Sequence, residues 1–521
     1  VADISLADDI QPMSTVAWSD ALRTLANRFG DTPAFNDGTD TLTYRELSEK
    51  AHSLADVLIR SGMDQGSSIA TLLPNGLSAA WVSYGLKVAG LAETPMNFGY
   101  TDQEISWSAR VAKFKVVITN RQRENDIRRL ELQPLVTENM SASDPGTLLP
   151  SVSTDIPGRI LFTSGTTGYP KAAVYSHGRR WSGEQLLKAT LPFVPKPGER
   201  ILLMTPFTHG ASLLAYAWCD YGGEVLLLNG IQEQPIRNWL ESGSVAAIFA
   251  PPTVLVKLST ILKQPPYKGV RCIFTGTQPL TTSIYKVAAA MFGDVVRVTF
   301  GKTECINPIT VLDYRESAAL FSQEPAGPGS CVGWPAPGVQ IRIEPPSDQP
   351  IDAASAPGEV LLKAQHMSNG MLSADGFSIH EPEGWHRTGD QGYLDSQGRL
   401  WLTGRLADVI KTGGYRVNPD EIEWVLTEDK TGPHIVITSI PSDYWGEVIV
   451  AVAENPAPGW EDIVRARAKQ LSRHKQPRIY AAVSAFPRNA QGKINRRKLS
   501  ELVLTSGTYK DGPYPELSLT A

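Results

Sequence analysis

From residue 43 to residue 301, short apolar runs alternate with longer segments of helical periodicity. This alternation constrains the fold more than any other feature of the chain. The runs include SIATLLPN (68–75), FKVVITN (114–120), ILLMTP (201–206), EVLLLNG (224–230), AAIFAPP (246–252), VRCIFTG (270–276) and DVVRVTFG (294–301). Between the early runs lie TYRELSEKAHSLADVLIR (43–60) and GLSAAWVSYGLKVAG (76–90). The first of these opens on Thr43 with Glu46 three positions on, a capping-box pattern. Strands alternating with helices predict a parallel α/β architecture. From about residue 325 the texture shifts to Gly, Pro and short alternating strands, a β-rich subdomain. After Arg405 it shifts again, to an α+β unit with strands at 434–440 and 447–455 and helices starting near Asp420 and Trp460. The tail from Thr505 to Ala521 is rich in Gly, Pro and Ser and is expected to fray.

At 521 residues the chain has room for about three domains or subdomains. Its 42% hydrophobic and 20% charged residues exclude a mostly disordered polymer. A net charge of −5 argues against general nucleic-acid binding. Cys219, Cys272, Cys305 and Cys331 are far apart, so neither a zinc knuckle nor a disulfide framework is indicated. Val1 to Trp18 is acidic and polar, unlike a secretory signal, and a cytoplasmic setting is expected. Ile201 to Cys219 lacks Asp, Glu, Lys and Arg, but Pro206, Thr208, His209 and Ser212 interrupt it. It reads as a buried strand, a loop and a helix, not a membrane span.

The most informative local segment is LFTSGTTGYPK (161–171). An apolar strand runs into Thr163, Ser164, Gly165, Thr166, Thr167 and Gly168, and Lys171 follows. Glycines let the backbone approach an anion, successive amides form a nest, and hydroxyls add donors, so the loop suits a polyphosphate. It is not a Walker loop. Gly301-Lys302-Thr303 imitates the end of one, but Val296 stands where the first glycine belongs. A serine-hydrolase elbow is excluded at 329–333, where Cys331 occupies the centre.

TSGTTGYPK resembles the phosphate loop of the adenylate-forming superfamily, which includes acyl-CoA synthetases, luciferases and nonribosomal-peptide adenylation domains. Further segments fit in order from about residue 42 to 499. They are Phe300-Gly301-Lys302-Thr303-Glu304, Thr388-Gly389-Asp390, Gly404-Arg405, the Lys411 to Glu423 stretch and the Pro487 to Leu499 stretch. The resemblance implies a large N-terminal body (1–405) of α/β subdomains with a β-rich part at about 325–405. A small mobile α+β lid (406–521) would carry the catalytic lysine. It implies ATP, Mg²⁺ and CoA as reactants and cofactor. Lys493 would bridge carboxylate and α-phosphate, and Glu304 would hold Mg²⁺. Thr303 would bond a phosphate, with Thr277 and Gln278 nearby. Phe300 would stack on adenine, Asp390 would accept the ribose hydroxyls, and Arg405 would contact ribose or phosphate. Gly413, Gly414 and Lys411 would guide the thiol, and His209, Gly210, Ala211, Ser212, Pro252, Gly276 and Lys302 would line the acyl pocket.

Departures from the pattern are Ala407 at the usually charged hinge position, with Asp408 next, and Gln278 where a small residue is usual. The PFTHGAS segment (206–212) has no acid to pair a substrate ammonium, so the expected substrate lacks an α-amino group. Small residues at 210–212, 252 and 276 suggest a roomy pocket for a bulky hydrophobic acid, such as a polycyclic one. The expected reaction makes an acyl-adenylate with loss of pyrophosphate, then acyl-CoA and AMP. Loading of a carrier protein is the alternative acceptor, and a catalytically inactive nucleotide-binding module is the alternative class. No membrane span and no nucleic-acid partner are expected, and a homodimer is left open.

Overall fold

The structure is a computed structural model. It describes residues 14–140, 149, 151–163, 170–208, 210–263, 265–276, 278–323, 329–345, 357–380, 384–413, 415–427, 433–489 and 493–519. Two large sheets build the N-terminal part. In the seven-stranded sheet, Val296–Val298, Cys272–Thr275, Val245–Phe249, Arg200–Leu203, Glu224–Leu227 and Pro33–Asn36 run parallel, and Thr41–Thr43 closes the edge antiparallel. In the eight-stranded sheet, Ala92–Pro95, Ser68–Leu72, Val116–Thr119 and Gln133–Val136 are parallel. Pro157–Phe162 joins them in parallel and then turns back antiparallel as Ala172–Ser176.

The helices between strands follow the expected periodicity. Thr43 accepts from the Glu46 amide while Glu46 accepts from the Thr43 amide, so the capping box that starts Tyr44–Arg60 is complete. Leu47, Ala51, Leu54, Ala55 and Leu58 fall on one face of that helix and are buried in the core shared with Leu77–Ala89. The chargeless stretch resolves into the strand Arg200–Leu203 and the buried helix Gly210–Cys219. Among the described residues, no helix is long and apolar enough to cross a membrane.

A six-stranded antiparallel sheet follows, from Thr310–Val311 through Ser330–Pro335 to Leu400–Arg405. One hairpin in that stretch, Gly370–Ser373 with Gly376–Ile379, leaves this sheet and extends the eight-stranded one beside Ala172–Ser176. The last sheet, with strands from Ile410–Thr412 to Ile479–Val483, has its own apolar clusters. The expected fraying of the tail is corrected over its described part. Gly507–Lys510 and Glu516–Leu519 form a hairpin, and Tyr509 and Leu517 pack on the last cluster. Asp511 anchors the hairpin by accepting from Ser442 Oγ (2.6 Å) and the Asp443 amide (2.7 Å). Turn-forming residues mark the hairpin's bend, and compositional texture alone could not separate that from disorder.

Candidate active site

Parallel strands deliver their C-terminal ends to one side of a sheet, where loops can hold a ligand. Here Pro157–Phe162 hands over to Thr163, whose amide and hydroxyl both donate to the Lys171 carbonyl (2.8 and 3.2 Å). The loop is thus closed at its neck. Ser164, Gly165, Thr166, Thr167 and Gly168 lie outside the described residues, as do His209, Thr277 and Gly414. Lys171 is exposed, and Ala172 behind it is fully buried at the start of the return strand.

The Phe300 to Glu304 segment is held by its backbone. The Phe300 amide donates to Thr310 Oγ1 (3.2 Å), Tyr175 donates its hydroxyl to the Thr303 carbonyl (2.7 Å), and the Ser368 amide donates to the Glu304 carbonyl (2.9 Å). A Cβ on Gly301 would lie 2.3 Å from Asn307 Oδ1, so a larger residue there would displace the Asn307 side chain. Among the described residues, the Glu304 carboxylate makes no hydrogen bond or ion pair, and it remains available for a ligand.

Asp390 sits on the strand His386–Leu394, paired in register with Arg405 on Leu400–Arg405. Arg405 Nε lies 3.2 Å from its Oδ1, and Lys302 Nζ lies 2.8 Å from its Oδ2. Lys302 also donates to the Thr388 carbonyl at 2.8 Å. This corrects the expectation that Lys302 lines the acyl pocket: its chain turns away to the carboxylate. A carboxylate offers about four lone-pair directions. The two cations take two, leaving a pair suited to a vicinal diol.

Lys493 comes from the C-terminal unit. Asn489 fixes its backbone through the Lys493 amide (3.0 Å) and carbonyl (2.9 Å). Burial, aided by Arg405 and Lys302, pushes its amine down to about 8, against the pull of Asp390 and Glu304. The lysine of one unit and the acids of the other therefore share one electrostatic cluster. Sequence reading missed His386 beside it. Its ring is held down to about 4, mainly by burial, with His380 and Lys302 adding to the effect. The neutral ring borders the cluster without adding charge.

The acyl side differs from expectation. Gly210, Leu187, Leu214, Phe249, Phe274, Thr299, Asn307 and Pro308 surround a cavity of only about 20 Å³. Gly210 lines it, and a Cβ on Gly276 would lie 2.4 Å from the Thr299 carbonyl, so strand ends meet closely there. Ala211, Ser212 and Pro252 are buried but do not line the cavity. The small residues are present, yet Phe249, Phe274 and Leu214 fill the space, so the roomy pocket is not observed in this state. Arg297 also lines the cavity, and sequence reading missed it. Gln278 is half-buried.

At the junction of the units, Leu406–Asp408 is a single helical turn containing Ala407. Asp408 pairs with Arg496 (3.0 Å), which also reaches Glu423 (2.8 Å) and Asp420. Asn418 Nδ2 donates to the Thr403 carbonyl (2.6 Å) across the junction. Gly413 has φ +55° and packs on Trp445, 3.0 Å from where a Cβ would stand, and Lys411 is exposed beside it.

A cation, Lys493, within the field of two carboxylates, Asp390 and Glu304, makes a site suited to a nucleotide-handling α/β enzyme. The family described as "AMP-binding enzyme" matches residues 22–372, and the chain belongs to it. A 2-succinylbenzoate–CoA ligase of Bacillus cereus is 27% identical over 478 residues, covering 91% of this chain and 96% of that protein. A long-chain-fatty-acid–CoA ligase of Mycobacterium tuberculosis is also 27% identical, with coverage of 88% and 93%. Among solved structures, ATP-bound MatB from Rhodopseudomonas palustris superposes with a TM-score of 0.81 at 22% identity, covering 93% of this chain and 98% of that one.

Proposed function

We propose that the protein is an AMP-forming acid–thiol ligase working on a carboxylic acid without an α-amino group. The observation that supports this is the Lys493 amine, from the C-terminal unit (406–521), lying within the electrostatic field of Asp390, Glu304, Lys302 and Arg405 of the body (1–405). In the first half-reaction the substrate carboxylate attacks the α-phosphorus of ATP, and pyrophosphate leaves. Negative charge gathers between the reacting oxygens, so a buried ammonium there stabilises the transition state. Asp390 directs its free lone pairs to the ribose diol, and the Phe300 ring flanks the base. Thr303 and the 163–168 loop hold phosphates, with Lys171 at the loop's end.

Glu304 fits Mg²⁺, a hard cation held in nucleotide sites by one or two carboxylates plus phosphate oxygens. When bound, the ion supplies charge neutralisation to the phosphates. Its carboxylate has no other partner among the described residues, which suits that task.

In the second half-reaction a thiol attacks the acyl carbon and AMP leaves. CoA is favoured as its source by the surface beside Gly413. There Tyr415 stacks on His474 (4.3 Å between centroids) and Arg478 lies over Trp445 (3.6 Å), with Arg473 and Lys475 adjacent. Tyr415 and Arg473 are exposed and the other groups partly so, and aromatic and cationic groups together suit an adenine and its phosphates. The CoA ligases similar to this chain add to that reading. Incubation with ATP, Mg²⁺ and a panel of acids should release pyrophosphate, and adding CoA should yield acyl-CoA and AMP. Pyrophosphate without acyl-CoA, even at millimolar CoA, would move the acceptor to a carrier protein. No pyrophosphate with any acid would sink the proposal.

A further inference from the structure

Arg297 is the middle residue of the strand Val296–Val298, and its neighbours Val296 and Val298 pack into the core on one face. Side chains alternate along a strand, so Arg297 points to the other face. There it pairs in register with Phe274 and lines the same cavity as Phe249, Thr299 and Asn307. It is 4% exposed. Its guanidinium carbon lies 5.5 Å from the centroid of the Phe274 ring. Among the described residues it makes no hydrogen bond or ion pair, and its Nε is buried without a partner. The two groups whose fields favour its charge are the buried thiol of Cys272 and then Asp313, and the Asp313 carboxylate is committed elsewhere: it accepts from the Arg315 amide (3.0 Å) and caps the helix Tyr314–Ser322.

A buried guanidinium carries five donors and cannot shed its charge, so leaving it unpaired is costly. A protein retains such a group where a ligand completes it. The cavity, about 20 Å³, holds roughly one water-sized group. It therefore matches a terminal oxygen function and not a ring. It lies down the sheet face from the strand ends at Gly276 and Phe300, where the reaction is placed.

We infer that Arg297 is a specificity-determining residue that receives an oxygen acceptor, carboxylate or ketone, carried by the acid at the end remote from the carboxylate being activated. This rests on the adenylation reading and deepens it, because it replaces a purely hydrocarbon acyl group with an oxygenated one. Arg297 then completes its hydrogen bonds only when the correct substrate is seated.

Matched acids test this: one carbon skeleton as the plain monocarboxylic acid, with a distal ketone, and with a distal carboxylate, over several chain lengths. Pyrophosphate release gives kcat/KM for each. The oxygenated member of the best-fitting skeleton should exceed its hydrocarbon counterpart by about 100-fold or more, as expected where a site's polar group would otherwise stay unpaired. Arg297→Met should cut that preference below about 10-fold while hydrocarbon acids improve. Arg297→Lys should keep the carboxylate preference better than the ketone preference, since it supplies a point charge without the fork. Equal use of matched acids by the unmodified protein, or an Arg297→Met protein that is folded and equally selective, would overturn the inference. If no acid releases pyrophosphate, the adenylation reading fails separately. Calorimetric binding of the same acids with AMP present still measures selectivity, and equal affinities across the pairs would overturn this inference on their own.

Discussion

The two ends of the cleft manage charge in opposite ways. At the nucleotide end the key groups meet one another: Asp390 is gripped by Lys302 and Arg405, and Lys493 enters the same field from the second unit. At the acyl end Arg297 faces a cavity of about 20 Å³ without a partner among the described residues. The first end is thus preorganised before any substrate arrives, which is how electrostatic catalysis avoids reorganisation. The second is incomplete until a substrate fills it, which is how selectivity is built. Mutations at the first end should damage chemistry whatever acid is offered. Mutations at the second should change which acid is accepted.

The largest effect that would break this comparison belongs to Lys493. Lys493→Ala should lower the rate of acyl-adenylate formation by about 10³-fold or more, the scale of removing a principal charge stabiliser. Thioester formation from supplied acyl-adenylate should persist. Equal loss in both half-reactions, measured by single-turnover kinetics, would contradict a role confined to the nucleotide end. Asp390→Asn comes next. It removes two charge-assisted acceptor sites at roughly 1.5–3 kcal/mol each. It also leaves Lys302, with a side chain only 9% exposed, unpaired. The KM for ATP should rise by about 10²-fold with every acid tested. A rise that depended on the acid would show that the two ends are not separable.

The residues expected at the nucleotide end sit in short contiguous segments with turn and strand signals. The 161–171 loop, the 300–304 segment, the 388–390 turn and the Lys493 turn are each readable without knowing what lies opposite. The alternation of strands and helices, and the Thr43–Glu46 cap, were legible for the same reason. Lys302 was misassigned because its partner lies 88 residues away, and adjacency to Glu304 does not say which way a long side chain turns. Arg297 did leave a signal. A lone charge inside VVRV is anomalous in a parallel strand buried on both faces, where runs are normally unbroken. The acyl cavity was not legible, because its walls come from Leu187, Gly210, Phe249, Phe274, Arg297 and Asn307, on separate elements. Small residues in one segment say nothing about the aromatics that another element swings into the gap.

The smallest predicted effect is the most specific to the paired cluster, and it is read from pH dependence. The Lys493 amine sits near 8, against an ordinary value of 10.5, chiefly through burial and then through repulsion by Arg405 and Lys302. Adenylation needs the charged form, so activity should be full below this pKa and fall as pH rises through it, about tenfold per unit in kcat/KM for the free enzyme. Lys302→Met removes one repelling cation. It also releases Asp390 from one of its two partners, so Asp390 attracts the lysine more strongly. Both changes favour the ammonium and raise its pKa. The alkaline limb should therefore move upward, by about 1 unit or less, the scale of one partly screened neighbouring charge. The plateau rate should change only a few-fold, because Arg405 still holds Asp390 in register. Arg297→Met serves as the control, since it also removes a buried cation but from the other end, and its limb should stay in place. A limb unmoved by Lys302→Met, or moved equally by both substitutions, would show that the cation cluster does not set the state of Lys493. The distinction between a self-paired nucleotide end and a substrate-paired acyl end would then fail.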